Sequence, residues 1–277
     1  MAPARPYNGG MDDEVDGIDE SSAGQESGDG ERALIDERRA PGRSVPIRAV
    51  GVDACRGGWV AVWVADGRLN ARVHKTFAEL ATAYPHVACI AVDIPIGLSS
   101  AGARACDKAA RALLGPPRDS SVLPAPDPRL LTVPDFAAAT ARSMALTQKG
   151  VSRQVFTTFP RVVEVDDLMT PLLQGWVVEM HPEVSFRAMA GGTAMAHSKS
   201  TPAGYEERRE LLARTLGIRM PATKLESRDL VPKAAPDEVL DATAAAWTAQ
   251  RVADGLAERL PETPELDRRG RRMEIVF

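Results

Sequence analysis

The spacing of apolar residues predicts three β-strands at the start of the folded chain. Two β-type runs in "IRAVGVDACRGGWVAVWVADGRLNARVHK" flank Arg56-Gly57-Gly58, and a third, weaker run follows Asp66-Gly67. Short glycine-rich breaks between such runs are typical of hairpin turns. We therefore expect a three-stranded antiparallel meander.

The rest of the chain alternates between patterns of helix and strand. "FAELATAYP" predicts a short amphipathic helix, and "VACIAVDIPIG" is a continuous apolar run typical of a strand buried on both faces. "GWVVEMHPEVSF" predicts a strand that leads into a helix, and "RRMEIVF" predicts a closing edge strand. Further helices are expected over residues 104–114, 136–144 and 161–173 and in "GYEERRELLARTLG" and "PDEVLDATAAAWTAQRVADGLAERL". These patterns together predict an α/β fold with a mixed sheet.

Composition indicates a globular protein outside the membrane. The 277 residues are 44% hydrophobic and 26% charged, which suits one sizeable core. The sequence has neither an apolar run of the roughly 18 residues that a membrane span needs nor a signal-peptide pattern. Its three widely spaced cysteines fit a reducing compartment. We therefore expect a cytoplasmic protein with no membrane partner.

Charge separates an amino-terminal leader from the rest. Residues 1–45 hold eleven acidic residues against five arginines and are rich in glycine and serine. Such a segment buries too little apolar surface to offset the entropy of ordering. We predict a disordered acidic leader over residues 1–45 and a folded domain over residues 46–277. The domain is near neutral, so its charge neither requires nor excludes a nucleic-acid partner.

Aspartates at strand ends are the strongest candidates for a site. Asp53 and Asp93 each end a predicted strand, where open α/β sheets usually build their sites. In the last helix, Asp241 shares a face with Asp237, Glu238 or both. Carboxylate oxygens suit hard cations such as Mg²⁺ or Mn²⁺. Two alternatives stay open: Asp53 caps a turn, and the acids after Pro236 stabilise the helix's first turn.

Other polar residues are candidates for catalysis or substrate binding. Glu183 either joins the acids or lies in a helix's first turn, and His181 is either a general base or a packed residue. Four basic residues in loops are candidates for binding an anionic substrate: Arg56, Arg118, Arg153 and Lys199. The sequence has no HExxH motif, no Cys/His cluster and no glycine-rich phosphate loop, which argues against zinc and against a P-loop.

Eight segments in one order resemble the domain of unknown function 429 family, whose members are predicted to be ribonuclease H-like nucleases. They are "GVDACRGGWVAVWV", "AVDIPIGL", "RACDKAARALLG", "SSVLPAP", "SRQVF", "EMHPEVSF", "SKSTPAG" followed by "RRELL", and "DEVLDATAAAWTA". The resemblance runs from about residue 49 to the carboxyl end and includes "RRMEIVF".

The resemblance implies a ribonuclease H-like fold, which is a central mixed sheet with its first three strands antiparallel and with flanking helices. This chain departs from the superfamily's pattern by a long helical insertion at about 101–174. In that superfamily, acids of the first strand, the fourth strand and the last helix hold the metal. The corresponding residues here are Asp53, Asp93 and Asp241, with Asp237 beside Asp241. Glu183 would be this family's own addition. The implied activity is metal-dependent hydrolysis of phosphodiester bonds in nucleic acid.

Two other classes of protein compete with a nuclease. Sugar kinases and related ATPases share this sheet order, but they need an Asp-x-Gly phosphate hairpin, whereas Asp53 is followed by Ala54-Cys55. A non-catalytic binding module of the same fold would have no reason to keep three or four acids. A nuclease therefore remains the expectation from sequence.

Overall fold

The first three apolar runs form the predicted antiparallel meander. These strands are β1 (Ala49–Cys55), β2 (Gly58–Ala65) and β3 (Arg68–His74). The computed structural model describes residues 46–277, so the predicted leader lies outside the described residues. Two parallel strands, β4 (Cys89–Val92) and β5 (Val177–Glu179), continue the sheet in the order β3-β2-β1-β4-β5. The predicted mixed sheet is confirmed.

Eight α-helices in residues 46–277 surround this sheet. They are α1 (Phe77–Ala83), α2 (Ala105–Leu114), α3 (Phe136–Thr147), α4 (Arg153–Leu168), α5 (Pro182–Met189), α6 (Pro202–Leu216), α7 (Lys224–Leu230) and α8 (Pro236–Ala253). Side chains of α5, α6 and α8 pack on one face of the sheet, and side chains of α1 and α4 pack on the other. Helices on both faces make the sheet a buried layer, as its apolar strands require.

The close approach of α8 to β1 depends on Gly51. A Cβ atom at this position would lie 1.9 Å from the backbone nitrogen of Ala246 and 2.1 Å from the carbonyl oxygen of Ala242. Only glycine allows two backbones to come this near. β1 is thereby held directly against α8 at Gly51.

The predictions were wrong about the end of α8 and about α4. The last helix was expected to reach Leu260, but it ends at Ala253, and Gly255 follows with φ of 71°. The next residues form strand β6 (Arg259–Leu266), which pairs with β7 (Arg272–Val276) in a separate two-stranded sheet. β6 contains two prolines and several exposed polar residues, so its sequence lacks the apolar alternation from which a strand is predicted.

Helix α4 begins eight residues before the predicted start at 161, with Ser152 accepting a hydrogen bond from the Val155 amide as its N-cap. Pro160 lies inside this helix, although proline usually ends one. Helix α7 was not predicted. None of the helices within residues 46–277 has the length and apolar character needed to cross a bilayer.

Candidate functional site

Side-chain alternation turns Asp53 and Asp93 toward α8. In β1, Val50 and Val52 pack on the α1 and α4 side, so Gly51 and Asp53 face the other side. The same alternation holds in β4, where Ile90 and Val92 pack on the α1 and α4 side and Asp93 follows. Val52 and Val92 are partners in the parallel ladder, and the Asp93 amide donates to the Val52 carbonyl over 3.0 Å. The two aspartates therefore lie side by side.

Asp241 completes a cluster of three carboxylates. It is buried in α8, one residue before the segment that contacts Gly51. One carboxylate oxygen from each of Asp53, Asp93 and Asp241 lies within 4.8 Å of the others. We call these three residues the acid cluster. Three hard oxygen ligands at such distances are a plausible cradle for a divalent cation.

The acid cluster holds more negative charge than its surroundings compensate. Burial, and then the neighbouring carboxylates, raise the pKa of Asp53 well above its ordinary value. Burial, and then the charge of Asp241, raise the pKa of Asp93 from 3.8 to about 7. The amide of Ala54 donates a hydrogen bond of 2.7 Å to Asp53, and no hydrogen bond to the Asp93 carboxylate is formed within residues 46–277. A bound cation would relieve this repulsion.

Lys199 is the cation that contacts the acid cluster. Its Nζ donates to Asp241 Oδ2 over 2.7 Å, and its side chain is 52% exposed. The charge of Asp241 raises the pKa of Lys199 above its ordinary value. Lys199 was predicted to bind substrate, and the structure places it on a cluster acid, at the position from which a metal ion would displace it.

Glu183 lies beside the cluster but is tied to an arginine. Arg208 of α6 donates to Glu183 Oε1 from Nε over 2.9 Å and from a terminal nitrogen over 2.6 Å. Both side chains are buried, and Glu183 Oε2 has no hydrogen-bond partner among the described residues. Glu183 stands in the first turn of α5, which matches one of the two alternatives left open by its sequence, and it is not one of the three carboxylates of the acid cluster.

His181 is oriented by the loop that precedes α3. Its Nε2 lies 3.4 Å from the Ser121 carbonyl oxygen, and its Nδ1 is buried without a partner in the described part of the chain. Because a carbonyl only accepts, the Nε2 atom carries the proton in this contact and Nδ1 is the acceptor. Burial lowers the pKa of His181, so the neutral form is favoured at pH 7.

A cavity of about 350 Å³ opens beside the acid cluster. It is lined by Asp93, Glu183, His181 and Lys199 and by Arg118 from a short helical turn in the predicted insertion. Arg56 is exposed in the turn between β1 and β2, and Arg153 is exposed and stacks 4.5 Å from the centre of the Phe136 ring. Of the four basic candidates, Arg118 and Lys199 therefore line the cavity and the other two do not.

Asp237 is not part of the acid cluster. It is exposed in the first turn of α8, while the adjacent Glu238 accepts a hydrogen bond from the Ala235 amide over 2.6 Å. Both positions match the open alternative in which acids after Pro236 stabilise the start of a helix. The predicted metal ligands that the structure brings together are Asp53, Asp93 and Asp241.

A buried ion-pair network below the cavity was not predicted. Arg104 donates to Glu179 and to Asp107 over 2.6 Å each, and also to the Ile96 and Gly97 carbonyls over 3.2 Å. This network holds the chain after Asp93 against α2 and β5. The sequence offered one sign of this network, because Arg104, at the N-cap of α2, and Asp107 are three residues apart.

The fold and the site define an α/β protein with a candidate metal centre at the carboxyl ends of its central strands. The chain belongs to the family described as protein of unknown function (DUF429), whose model matches residues 51–266. The match includes the acid cluster and ends before β7. The comparisons with curated proteins and with solved structures each found no match.

Proposed function

We propose that this protein is a metal-dependent nuclease that hydrolyses phosphodiester bonds in nucleic acid, on a sheet of the ribonuclease H-like type. The observation that carries the proposal is the acid cluster, in which carboxylate oxygens from β1, β4 and α8 lie within 4.8 Å of one another. The strand order and the origin of the three acids agree with the pattern that the sequence resemblance implies.

The residues present fit Mg²⁺ or Mn²⁺. All three cluster side chains offer oxygen, which hard cations prefer. Burial and the charge of Asp241 raise the pKa of Asp93 to about 7, and a cation beside these carboxylates would favour their ionised forms. A divalent cation bound at this position would supply Lewis acidity and an activated water for attack on phosphorus. Asp53, Asp93 and Asp241 would hold the cation.

The remaining side chains of the site have separate tasks. His181, neutral with a free Nδ1, accepts a proton from the attacking water. Glu183, fixed by Arg208, lines the cavity and has an unpartnered Oε2 among the described residues, so it is a further candidate oxygen ligand or proton acceptor. Lys199, once displaced from Asp241, is free to pair with a phosphate oxygen of the substrate.

The test is cleavage of labelled single-stranded, duplex, hybrid and branched nucleic acids in Mg²⁺ and in Mn²⁺. Wild type is compared with Asp93→Asn and with Asp167→Asn, whose carboxylate is exposed on α4. We expect cleavage by wild type and Asp167→Asn and loss of cleavage in Asp93→Asn. Absence of cleavage by all three proteins, together with no Mn²⁺ binding in calorimetry, would refute the proposal.

A further inference from the structure

We infer that the cavity beside the acid cluster receives one unpaired nucleotide, with its phosphate held by Arg118, and that intact duplex is not the substrate. The inference rests on the proposed function, because it names the substrate class of the same site. It is carried by the size of the cavity, by its polar groups without partners and by the segment that encloses it.

The size of the cavity fits a single nucleotide. Its volume is about 350 Å³, at the lower end of the range of small-ligand sites. A double helix presents its phosphates on the outside of a rod of stacked base pairs and cannot enter such a space. An unpaired nucleotide can leave its strand and enter, as bases do in enzymes that act on extruded nucleotides.

Arg118 lines the cavity and forms no ion pair with an acidic side chain within residues 46–277. Its Nε is buried without a hydrogen-bond partner within residues 46–277. The other arginine that lines the cavity, Arg104, is committed to Glu179 and Asp107. A guanidinium left without a carboxylate beside a candidate hydrolytic centre is suited to bidentate binding of a phosphate group.

Two more buried groups of the cavity lack partners. Glu183 is 5% exposed, and its Oε2 has no hydrogen bond among the described residues. His181 Nδ1 is also buried and has no hydrogen bond among the described residues. Buried polar groups are normally satisfied, and exceptions require an explanation such as a ligand or an ion. A cation and a nucleotide in this cavity would provide the partners.

The wall of the cavity matches the other parts of a nucleotide. Part of the inserted segment lines it with apolar side chains, among them Val122, Leu123 and Pro124, and with the polar side chains of Gln154 and Thr158. An apolar surface accepts a base or the carbon face of a sugar, and the amide and hydroxyl groups provide hydrogen bonds. The insertion thus forms part of the cavity wall beside Asp93.

Binding of a nucleotide is tested separately from cleavage. Thymidine 5′-monophosphate is titrated in Ca²⁺ into wild type, Arg118→Gln and Arg142→Gln, the last being an exposed arginine on α3 that does not line the cavity. We expect binding to weaken about tenfold or more in Arg118→Gln and to be unchanged in Arg142→Gln. Equal affinity of all three proteins would overturn the inference.

Cleavage provides the second readout. In Mn²⁺, wild type should degrade a single-stranded oligonucleotide and leave relaxed closed-circular duplex intact. Equal cleavage of both substrates would overturn the single-nucleotide inference while supporting the nuclease. Conversely, Arg118-dependent binding of the monophosphate without cleavage of either substrate would support the inference about the cavity and contradict the proposed nuclease.

Discussion

Replacing Asp93 by asparagine should stabilise the metal-free protein, although it removes a residue of the site. Burial and the charge of Asp241 raise the pKa of Asp93 from 3.8 to about 7. The folded state therefore keeps its proton on Asp93 in a pH range where the unfolded state has lost it. By linkage, the free energy of unfolding falls as pH rises from about 4 to about 7.

The magnitude follows from the size of the pKa change. At about 1.4 kcal/mol per pH unit, ionised Asp93 destabilises the folded state by up to about 4 kcal/mol at pH 8. At pH 5 the cost is only about 1 to 2 kcal/mol, because the folded carboxyl group remains protonated. Asparagine carries no charge at either pH. Its stabilising effect should therefore be about 2 to 3 kcal/mol larger at pH 8 than at pH 5.

Urea denaturation in EDTA at pH 5 and pH 8 measures this difference. The matched control is Asp167→Asn, which removes an exposed carboxylate of α4 and should change stability by the same small amount at both pH values. Adding Mn²⁺ should stabilise wild type and not Asp93→Asn, because a ligand stabilises only the protein that binds it. If Asp93→Asn is less stable than wild type at pH 8 without metal, our account of the acid cluster is refuted.

Four further predictions follow from the geometry of the site. Lys199→Met should lower the apparent Kd for Mn²⁺ about fivefold in calorimetry, because the metal no longer breaks an ion pair worth about 1 kcal/mol; a weaker Mn²⁺ affinity would contradict this. Asp237→Asn should leave the Kd for Mn²⁺ unchanged, since its side chain is exposed outside the acid cluster, and a large loss would restore it as a ligand. Gly51→Ala should destabilise the protein by more than about 4 kcal/mol or prevent folding, as judged by thermal unfolding, because a Cβ overlaps the backbone of α8. Arg104→Met should cost about 3 to 5 kcal/mol in urea denaturation at pH 7, because it removes the partner of two buried carboxyl groups; since burial raises the pKa of Glu179 to about 7, the cost should grow above pH 7, and a neutral effect at all pH values would contradict the pairing.

The aspartates at strand ends could be predicted because one local pattern fixes their place. An apolar run that ends in an acid predicts a strand with the acid at its carboxyl end. For Asp93 the end of β4 at Val92 confirms this, whereas β1 continues two residues beyond Asp53, to Cys55. The parallel pairing of Val52 with Val92 then brings Asp53 and Asp93 together. Asp241 was identifiable because a carboxylate within an alanine-rich helix faces a core or a site and not solvent.

The partners of the charged residues could not be predicted from sequence. Glu183 and Arg208 lie 25 positions apart, and Lys199 and Asp241 lie 42 apart. Such pairs depend on how helices pack after the chain has folded, which local spacing does not encode. For Arg208 there was one signal, because Leu211 and Leu212 share its helix face and an arginine on an apolar face requires a buried acid.

The buried acids of this protein differ in whether a buried arginine contacts their carboxylates. Glu179 and Glu183 each accept two hydrogen bonds from a buried arginine, although burial still raises the pKa of Glu179 to about 7. The three aspartates of the acid cluster share one half-exposed lysine, Lys199. Burial and repulsion between neighbouring carboxylates raise the pKa of both Asp53 and Asp93, so ionisation of these groups at higher pH weakens the fold. The acid cluster thus differs from the arginine-paired glutamates because no buried arginine contacts it among residues 46–277, and this difference supports our proposal that a cation binds there.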